Sequence, residues 1–420
     1  MLIFVATDKE ALAQKSITLS QCYEWATANY PKIHQYGLIH QTEHLQLSSI
    51  KKAWVPQLSF NARASYQSDV TQLPFDKQQL ATLMPGVDIP QISKNQYHLA
   101  AQIDQTIWDG GLSRSSRSLA KAEAEVERKS LESELYAIRE RINQLYFGCL
   151  LQRELIKQNL ILQDNLKTNT KRIRVMMENG EANQSDVDLM QVELLNAQQK
   201  EIELRSSLVA FRQMLSAFIN QPIKEGTELI MPKLPDKFNH LTINHPELQA
   251  LHARNELLTS RNRQVTAGIM PRFSAFIQSG FGRPALNMLS NDFEGYYVAG
   301  VKVSWNLGRL YTLRNDRRKI ETGQKSIDIQ RETFLFNTRL QLLQQDSEIN
   351  KMQQLIKTDE EIIRLRQQVC KASEVILKNG TITVSDLIVD INAANSARQL
   401  AAAHQIQYLM NVYSRLHTTN

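Results

Sequence analysis

The chain has 420 residues, 42% of them hydrophobic, enough for two ordinary domains or one large duplicated one. Its 49 Lys and Arg and 43 Asp and Glu give a net charge of +6 but lie mixed along the chain, which argues against the clustered basic surface of a nucleic-acid binder. Only 15 glycines and 11 prolines interrupt the sequence, and so few breakers predict long helices.

In chain order, the first stretch is the apolar Leu2–Ala6, which is too short for a signal-peptide core and has no basic segment before it. Ala11-Leu12-Ala13 nevertheless has the small-x-small form of a cleavage site, so residues 1–16 read either as the remnant of a signal sequence or as an unstructured start. No run approaches 18 apolar residues, so no transmembrane helix is expected. A helical segment lies between Pro31 and Pro56, and His40 and His44 stand on it at i, i+4. Without a convergent third ligand they read as a solvated face rather than a zinc site.

After Pro56 the residues alternate. Leu58, Phe60, Ala62, Ala64 and Tyr66 oppose Ser59, Asn61, Arg63, Ser65 and Gln67, predicting a strand over about 57–68. A loop carrying Pro74, Pro85 and Pro90 follows. A second strand, about 96–108, sets Tyr97, Leu99, Ala101, Ile103 and Ile107 against His98, Gln102, Asp104 and Thr106. Two more alternating segments come later, about 272–282 (Phe273, Ala275, Ile277, Phe281) and about 295–306 (Tyr297, Ala299, Val301, Val303, Trp305). Period two at this length fits membrane β-barrel strands, but by itself it fits an ordinary half-exposed antiparallel sheet better, because the strand signal of a barrel is weak. Four strands cannot close a barrel alone, so a membrane reading requires several chains to pool them.

From Gly111 to Glu178 there is no proline, which predicts about 100 Å of helix at 1.5 Å per residue. Leu131, Leu135, Ile138, Ile142, Leu145 and Cys149 step along it as a coiled-coil seam. The returning helix answers with Met190, Leu194, Ala197, Leu204, Leu208, Phe211, Leu215 and Phe218, interrupted by Glu201. A second long segment, Arg309 to Lys378, has its own return to about Leu416. That return is rich in alanine, and its partner helix opens with Arg309, Arg314, Arg317, Arg318 and Lys319, read as a solvated face. Cys22, Cys149 and Cys370 share no CxxC spacing and read as buried small side chains. If the hairpins end level, Cys149 and Cys370 differ in height by about 30 Å, which no disulfide spans.

The chain is duplicated. "NGEANQSD" (Asn179–Asp186) and "NGTITVSD" (Asn379–Asp386) share four of eight residues at an offset of 200, and Pro31 to Pro56 equals Pro246 to Pro271 at 25 residues. Matching Trp108 to Trp305 puts the strand alternation out of phase, whereas matching Gly110 to Gly308 restores it. The octapeptides read as hairpin turns. Gly180 and Gly380 end one helix, and Ser185 and Thr383 cap the next, with Asp188 and Asp386 three residues on. The resulting organisation is residues 17–220 as repeat one (hairpin about 111–219), 221–245 between repeats, and 246–420 as repeat two (hairpin about 309–416). No Gly-rich phosphate loop, nucleophile elbow or paired-Cys motif occurs, so an enzyme is not expected, and no catalytic residue, metal or cofactor is assigned.

The motifs "AWVPQLSF" and "IMPRFSAF" after a helix, "IWDGG" before a long helix and the paired Gly-x-x-x-x-Ser-Asp turns resemble the TolC family of outer-membrane efflux channels, over about Ile17 to Leu416. The resemblance implies a mainly α fold with a membrane β-barrel contribution, in which a strand–strand–long-hairpin unit is duplicated. Three chains would form a 12-strand barrel continued by a 12-helix periplasmic tunnel, and residues 221–245 with the termini would form a belt. It further implies an outer-membrane location in contact with lipid, an inner-membrane pump and a periplasmic adaptor as partners, and adaptor docking at the hairpin tips. Those tips match Gly180, Ala182, Ser185 and Asp186, and Gly380, Thr383 and Ser385. The family's acidic pore constriction matches Asp386. A second acid is expected at Val389, and Asp390 lies one position beyond, while the basic latch position is Ile382. The other reading is a soluble periplasmic coiled-coil adaptor. That would need a domain of short, glycine-rich strands between its hairpin arms, and none is visible.

Overall fold

The computed structural model describes residues 16–71, 92–235 and 242–420. The expectations for the N-terminal stretch and for the loop of Pro74, Pro85 and Pro90 lie outside the described residues. The chain divides into two compact units.

The first unit comprises residues up to Tyr36, Lys129–Ala250 and Gln330–Asn420. Strand β1 (Ser16–Ile17) leads into α1 (Leu19–Asn29), whose start is fixed by a capping box. Thr18 Oγ1 accepts the Gln21 amide, and Gln21 Oε1 accepts the Thr18 amide at 2.9 Å. Two long hairpins follow, α3 (Leu112–Glu178) with α4 (Gln184–Ile219), and α6 (Arg309–Lys378) with α7 (Val384–Thr419). Most of the predicted seam is buried: Leu131, Leu135, Ile138, Ile142, Leu145 and Cys149 on α3, and Met190, Leu194, Ala197, Leu204, Leu208 and Leu215 on α4, whereas Phe211 and Phe218 are half-buried. Glu201 breaks the α4 ladder because it belongs to a polar layer. Buried Gln163 donates from Nε2 to Asn159 Oδ1 at 2.8 Å and to Glu201 Oε2 at 2.7 Å, and Arg205 closes on the other oxygen at 2.6 Å.

Midway along the unit, β1 pairs in parallel with β4 (Glu228–Leu229). The Tyr146 hydroxyl lies 2.8 Å from the Ile17 carbonyl and 2.7 Å from that of Ile230, and Arg153 donates to Leu229. Cys22 and Cys149 are buried, and burial pushes both thiols up to about 12.

The second unit comprises Gly37–Arg128 and Leu251–Ile329. It holds most of α2 (Gln35–Lys52) and of α5 (Pro246–Ala267), the first turns of α3 and α6, and one antiparallel sheet ordered β2-β3-β5-β6. The strands are β2 (Gln57–Tyr66), β3 (Asn95–Trp108), β5 (Arg272–Arg283) and β6 (Glu294–Ser304). The register sets Leu58 against Ile103, Ile103 against Ile277, and Ile277 against Ala299, so one apolar face runs across all four strands.

The register also corrects the alignment of the repeats. A β-bulge between Thr106 and Trp108 inserts one residue, so that Trp108 rather than Ile107 pairs with Phe273, their rings 5.6 Å apart. With the extra residue counted, Trp108 and Trp305 each stand four residues before a long helix. Gly111, not Gly110, is then the counterpart of Gly308.

Candidate functional site

The two hairpin tips share one apolar core. Leu162, Leu166 and Ile173 of α3 and Val187, Met190, Leu194 and Ala197 of α4 cluster with Leu377 of α6 and with Val384, Leu387, Ile388 and Ile391 of α7. Ties between the hairpins join residues about 200 apart in sequence. Arg172 pairs with Glu374 at 3.0 Å, and Asn392 donates to Glu193 at 3.2 Å, so the two turns stand level. These ties carry no pattern of their own in the sequence, and only the 200-residue offset points to them.

Both turns are built alike. Gly180 (φ +81°) and Gly380 (φ +70°) hold the left-handed position that ends each first helix. The next residue's amide reaches back to the helix, from Glu181 to Met176 O and from Thr381 to Ile376 O. The second helices start on capping boxes, Thr383 with Asp386 as expected, but Asn183 with Asp186 rather than Ser185 with Asp188. Asn183 is extended, its side chain accepts from the Asp186 amide at 3.0 Å, and the Asp186 carboxylate accepts from the Asn183 amide at 3.0 Å. Ser185 already lies inside the first turn, and Asp188 accepts from Gln184 instead. Ser185 and Ser385 are exposed, whereas Ala182 and Ile382 pack against the tip core. Ile382 thus adds an apolar side chain to the tip core.

The two candidate constriction acids are held differently. Asp386 is exposed, and its Oδ2 accepts from the Thr383 hydroxyl at 2.7 Å and the Thr383 amide at 2.9 Å. Those bonds, the hydroxyl's first, hold its carboxyl below the ordinary value. Asp390 is half-buried, and its carboxylate accepts from the buried Ser373 hydroxyl of α6 at 2.5 Å. At the matching positions repeat one has Ile173 and Met190, both buried in the tip core. The two members of the pair therefore differ together between the repeats, apolar in one and hydrogen-bonded in the other. The sequence reading missed Ser373, which the same offset would have exposed.

Among the described residues, two apolar surfaces are left uncovered. On the sheet, Leu58 (74% exposed), Phe60, Ile277, Tyr297 (77%) and Val301 (72%) stand open on one face. On the helices, Leu195, Ile202 and Val209 of α4 and Ile362, Val369 and Ile376 of α6 are exposed at steps of seven. No helix among the described residues is long and apolar enough to cross a membrane. No group of His, Cys, Asp and Glu among them could hold a metal ion, and His40 and His44 are exposed.

No protein-family model and no curated relative matches the chain. Solved structures do. The outer-membrane channel OprN superposes with a TM-score of 0.69 at 14% identity, over 96% of this chain and 89% of its own. The outer membrane protein VceC from Vibrio cholerae matches with a TM-score of 0.67 at 13% identity, over 95% and 96%. The open state of the Neisseria gonorrhoeae MtrE outer membrane channel matches with 0.65 at 13%, over 96% and 88%. The chain has the fold of these outer-membrane channels, the fold that the resemblance to the TolC family implied for nearly its whole length.

Proposed function

We propose that the protein is the outer-membrane exit duct of a tripartite efflux pump or type I secretion system. Three copies pool their strands into a 12-strand barrel, and their helices continue it as a 12-helix periplasmic tunnel. The hairpin tips dock on a periplasmic adaptor joined to an inner-membrane transporter, and Asp386, with Asp390 behind it, rings the closed end.

The observation that carries this reading is the uncovered apolar face of the sheet. Its strands are 10 to 14 residues long, against about 9–11 for a tilted membrane-spanning strand. Burying a large apolar side chain is worth about 1.5–3 kcal/mol. Leaving five such residues in water therefore forfeits on the order of 10 kcal/mol, as much as a domain's whole stability. Lipid removes that cost on one face, while the opposite face, with Ser59, Asn61, Arg63, Gln102, Asp104 and Gln278, suits a wet lumen. The edge strands β2 and β6 each have a single partner among the described residues, which supports joining to further copies. The exposed heptad stripes of α4 and α6 support the same conclusion for the helices. A soluble adaptor leaves the apolar sheet face unexplained.

Native mass spectrometry of the detergent-extracted, unheated protein tests the proposal. The expected mass is three times 48.1 kDa. A detergent-free monomer or dimer overturns it.

A further inference from the structure

Beside the sheet, the second unit holds a cleft of about 550 Å³ between the end of α2 and the start of α3. Lys51 lines it from α2, and Arg114, Arg117 and Lys121 line it from α3 at i, i+3 and i+7, one face of the helix. All four side chains are exposed, and none forms an ion pair among the described residues. The contrast with Arg128, further along α3, is direct. Arg128 is held by Glu43 at 3.2 Å and Glu125 at 3.0 Å. One carboxylate, Asp109, borders the cleft, but its oxygens accept the amides of Gly111 at 2.9 Å and Ser113 at 2.6 Å at the start of α3. Asp109 keeps its charge, but it is one carboxylate beside four cations, so the lining of the cleft is strongly positive.

The cleft also adjoins the apolar face. Asp109 directly follows Trp108, which pairs with Phe273 at the end of that face, and Trp54, 41% exposed, lines the cleft two residues before Pro56 and β2. Cations and tryptophan side by side at the edge of an apolar band are the pattern of a membrane–water interface.

We propose that this cleft binds the headgroup of an anionic phospholipid. The phosphodiester sits between the Arg114 and Arg117 guanidiniums, which match its planar oxygen pairs. Lys51 and Lys121 supply further positive charge, and the acyl chains run along the sheet from Trp108 and Leu58. The inference rests on the exit-duct reading, because it needs the apolar face to lie in lipid.

The test is lipid retention. The full chain is reconstituted in nanodiscs of phosphatidylcholine, alone or mixed in equal parts with phosphatidylglycerol, then released into detergent and weighed by native mass spectrometry. The wild type is expected to keep phosphatidylglycerol in preference to phosphatidylcholine. Each cation near a membrane surface contributes about a fivefold factor in affinity. The triple variant R114Q/R117Q/K121Q should then retain phosphatidylglycerol about a hundredfold more weakly, with its assembly mass unchanged. R114K/R117K should keep most of the preference, and K357Q, which alters an exposed cation on α6, all of it. Equal retention of both lipids, or a triple variant that retains as the wild type does, overturns the inference while leaving the exit-duct reading intact. A triple variant of lower assembly mass overturns it by placing a second copy in the cleft. Failure of the wild type to enter any nanodisc overturns both.

Discussion

The pairing of Ser373 with Asp390 can be exchanged for the apolar pair that repeat one carries at the same level. In D390M the methionine copies Met190, but the buried Ser373 hydroxyl, 7% exposed, loses its 2.5 Å acceptor. A hydrogen bond to a charged group contributes about 1.5–3 kcal/mol, and a buried hydroxyl left without a partner costs about 1–3 kcal/mol. Apolar packing of the new side chain offsets part of this, so D390M should destabilise the tip by about 1–3 kcal/mol. S373I strands the carboxylate against an apolar neighbour and should cost a similar amount. The double variant S373I/D390M restores a matched pair, and its cost should fall short of the sum of the single ones by about 1–3 kcal/mol. Because a large assembly does not unfold in two states, the assay is hydrogen exchange over residues 366–395, which reads local opening free energies. If the double variant equals the sum of the two singles within about 0.5 kcal/mol, the compensation argument is wrong. The same proteins separate Asp390's structural role from its proposed pore role, since the double variant restores packing without restoring charge. Its single-channel cation selectivity should match that of D390M.

Three further outcomes are expected. The His417 ring stacks on Tyr136 with centroids 4.4 Å apart, and His245 lies edge-on to it at 6.2 Å, while Arg139 covers the Tyr136 ring. Burial, then His245 and Arg139, pull its pKa from 6.5 down to about 4. A base whose folded pKa is depressed favours folding fully above the unfolded value and loses that contribution as pH falls from about 6.5 to 4. A fall from 6.5 to about 4 corresponds to about 3 kcal/mol. Protection of residues 412–419 against hydrogen exchange should fall across that window in the wild type and much less in H417F, and a parallel fall in both refutes the assignment. Gly110 has φ +70°, and an added Cβ would meet Met270 Cβ at 2.5 Å and Pro271 O at 3.1 Å. G110A should therefore abolish assembly measured by native mass, whereas G111A, with open space around it, should cost only about 1–2 kcal/mol of backbone strain. D386N keeps an acceptor for the Thr383 amide while removing the charge, so it should weaken cation block of the closed channel at near-normal thermal stability, and unchanged block and selectivity would refute the acidic ring.

The sequence revealed the elements whose period is imposed by burial. Strand alternation showed because the two faces of every strand differ in polarity, and the seams showed because each long helix buries an apolar stripe. What stayed hidden involves single residues or distant partners. The bulge at Thr106 and Trp108 adds one residue with no compositional mark, and it alone decided whether Gly110 or Gly111 matches Gly308. Asn183-x-x-Asp186 and Ser185-x-x-Asp188 are equally good capping boxes on paper. The chain's path out of the first helix, with Glu181 bonded back to Met176, chooses between them by fixing where the turn ends. The pairing of Ser16 and Ile17 with Glu228 and Leu229 joins two-residue segments more than 200 positions apart, too short to carry any pattern. The tip residues were found because the duplicated octapeptide marks them, and Ser373 was missed because it lies outside that octapeptide.

The two uncovered apolar surfaces differ in kind, and the difference says what should cover each. A face of period two spread over four strands presents no ridges of fixed spacing. Leu58, Phe60, Ile277, Tyr297 and Val301 differ in size, and no partner surface of regular pitch would fit them all. A fluid of acyl chains fits any such relief and needs no register. The exposed stripe Leu195, Ile202, Val209 repeats every seven residues and is flanked by charges such as Lys200 and Glu203, which pair with each other at 2.8 Å. Seven-residue spacing is met only by another helix offering holes at the same pitch. The stripe Ile362, Val369, Ile376 on α6 has that same pitch and is likewise uncovered. Within one chain α4 and α6 contribute other apolar residues to the core that the two hairpins share, and in the proposed trimer these outer stripes meet helices from other copies. In that proposal the edges of β2 and β6, which have no second partner among the described residues, are met by the same neighbours. On the exit-duct proposal, the helix stripes and strand edges are covered only when copies meet, and the sheet face only when lipid is present. Stability of the folded chain should therefore rise with protein concentration by mass action, and only in a detergent or bilayer that covers the sheet.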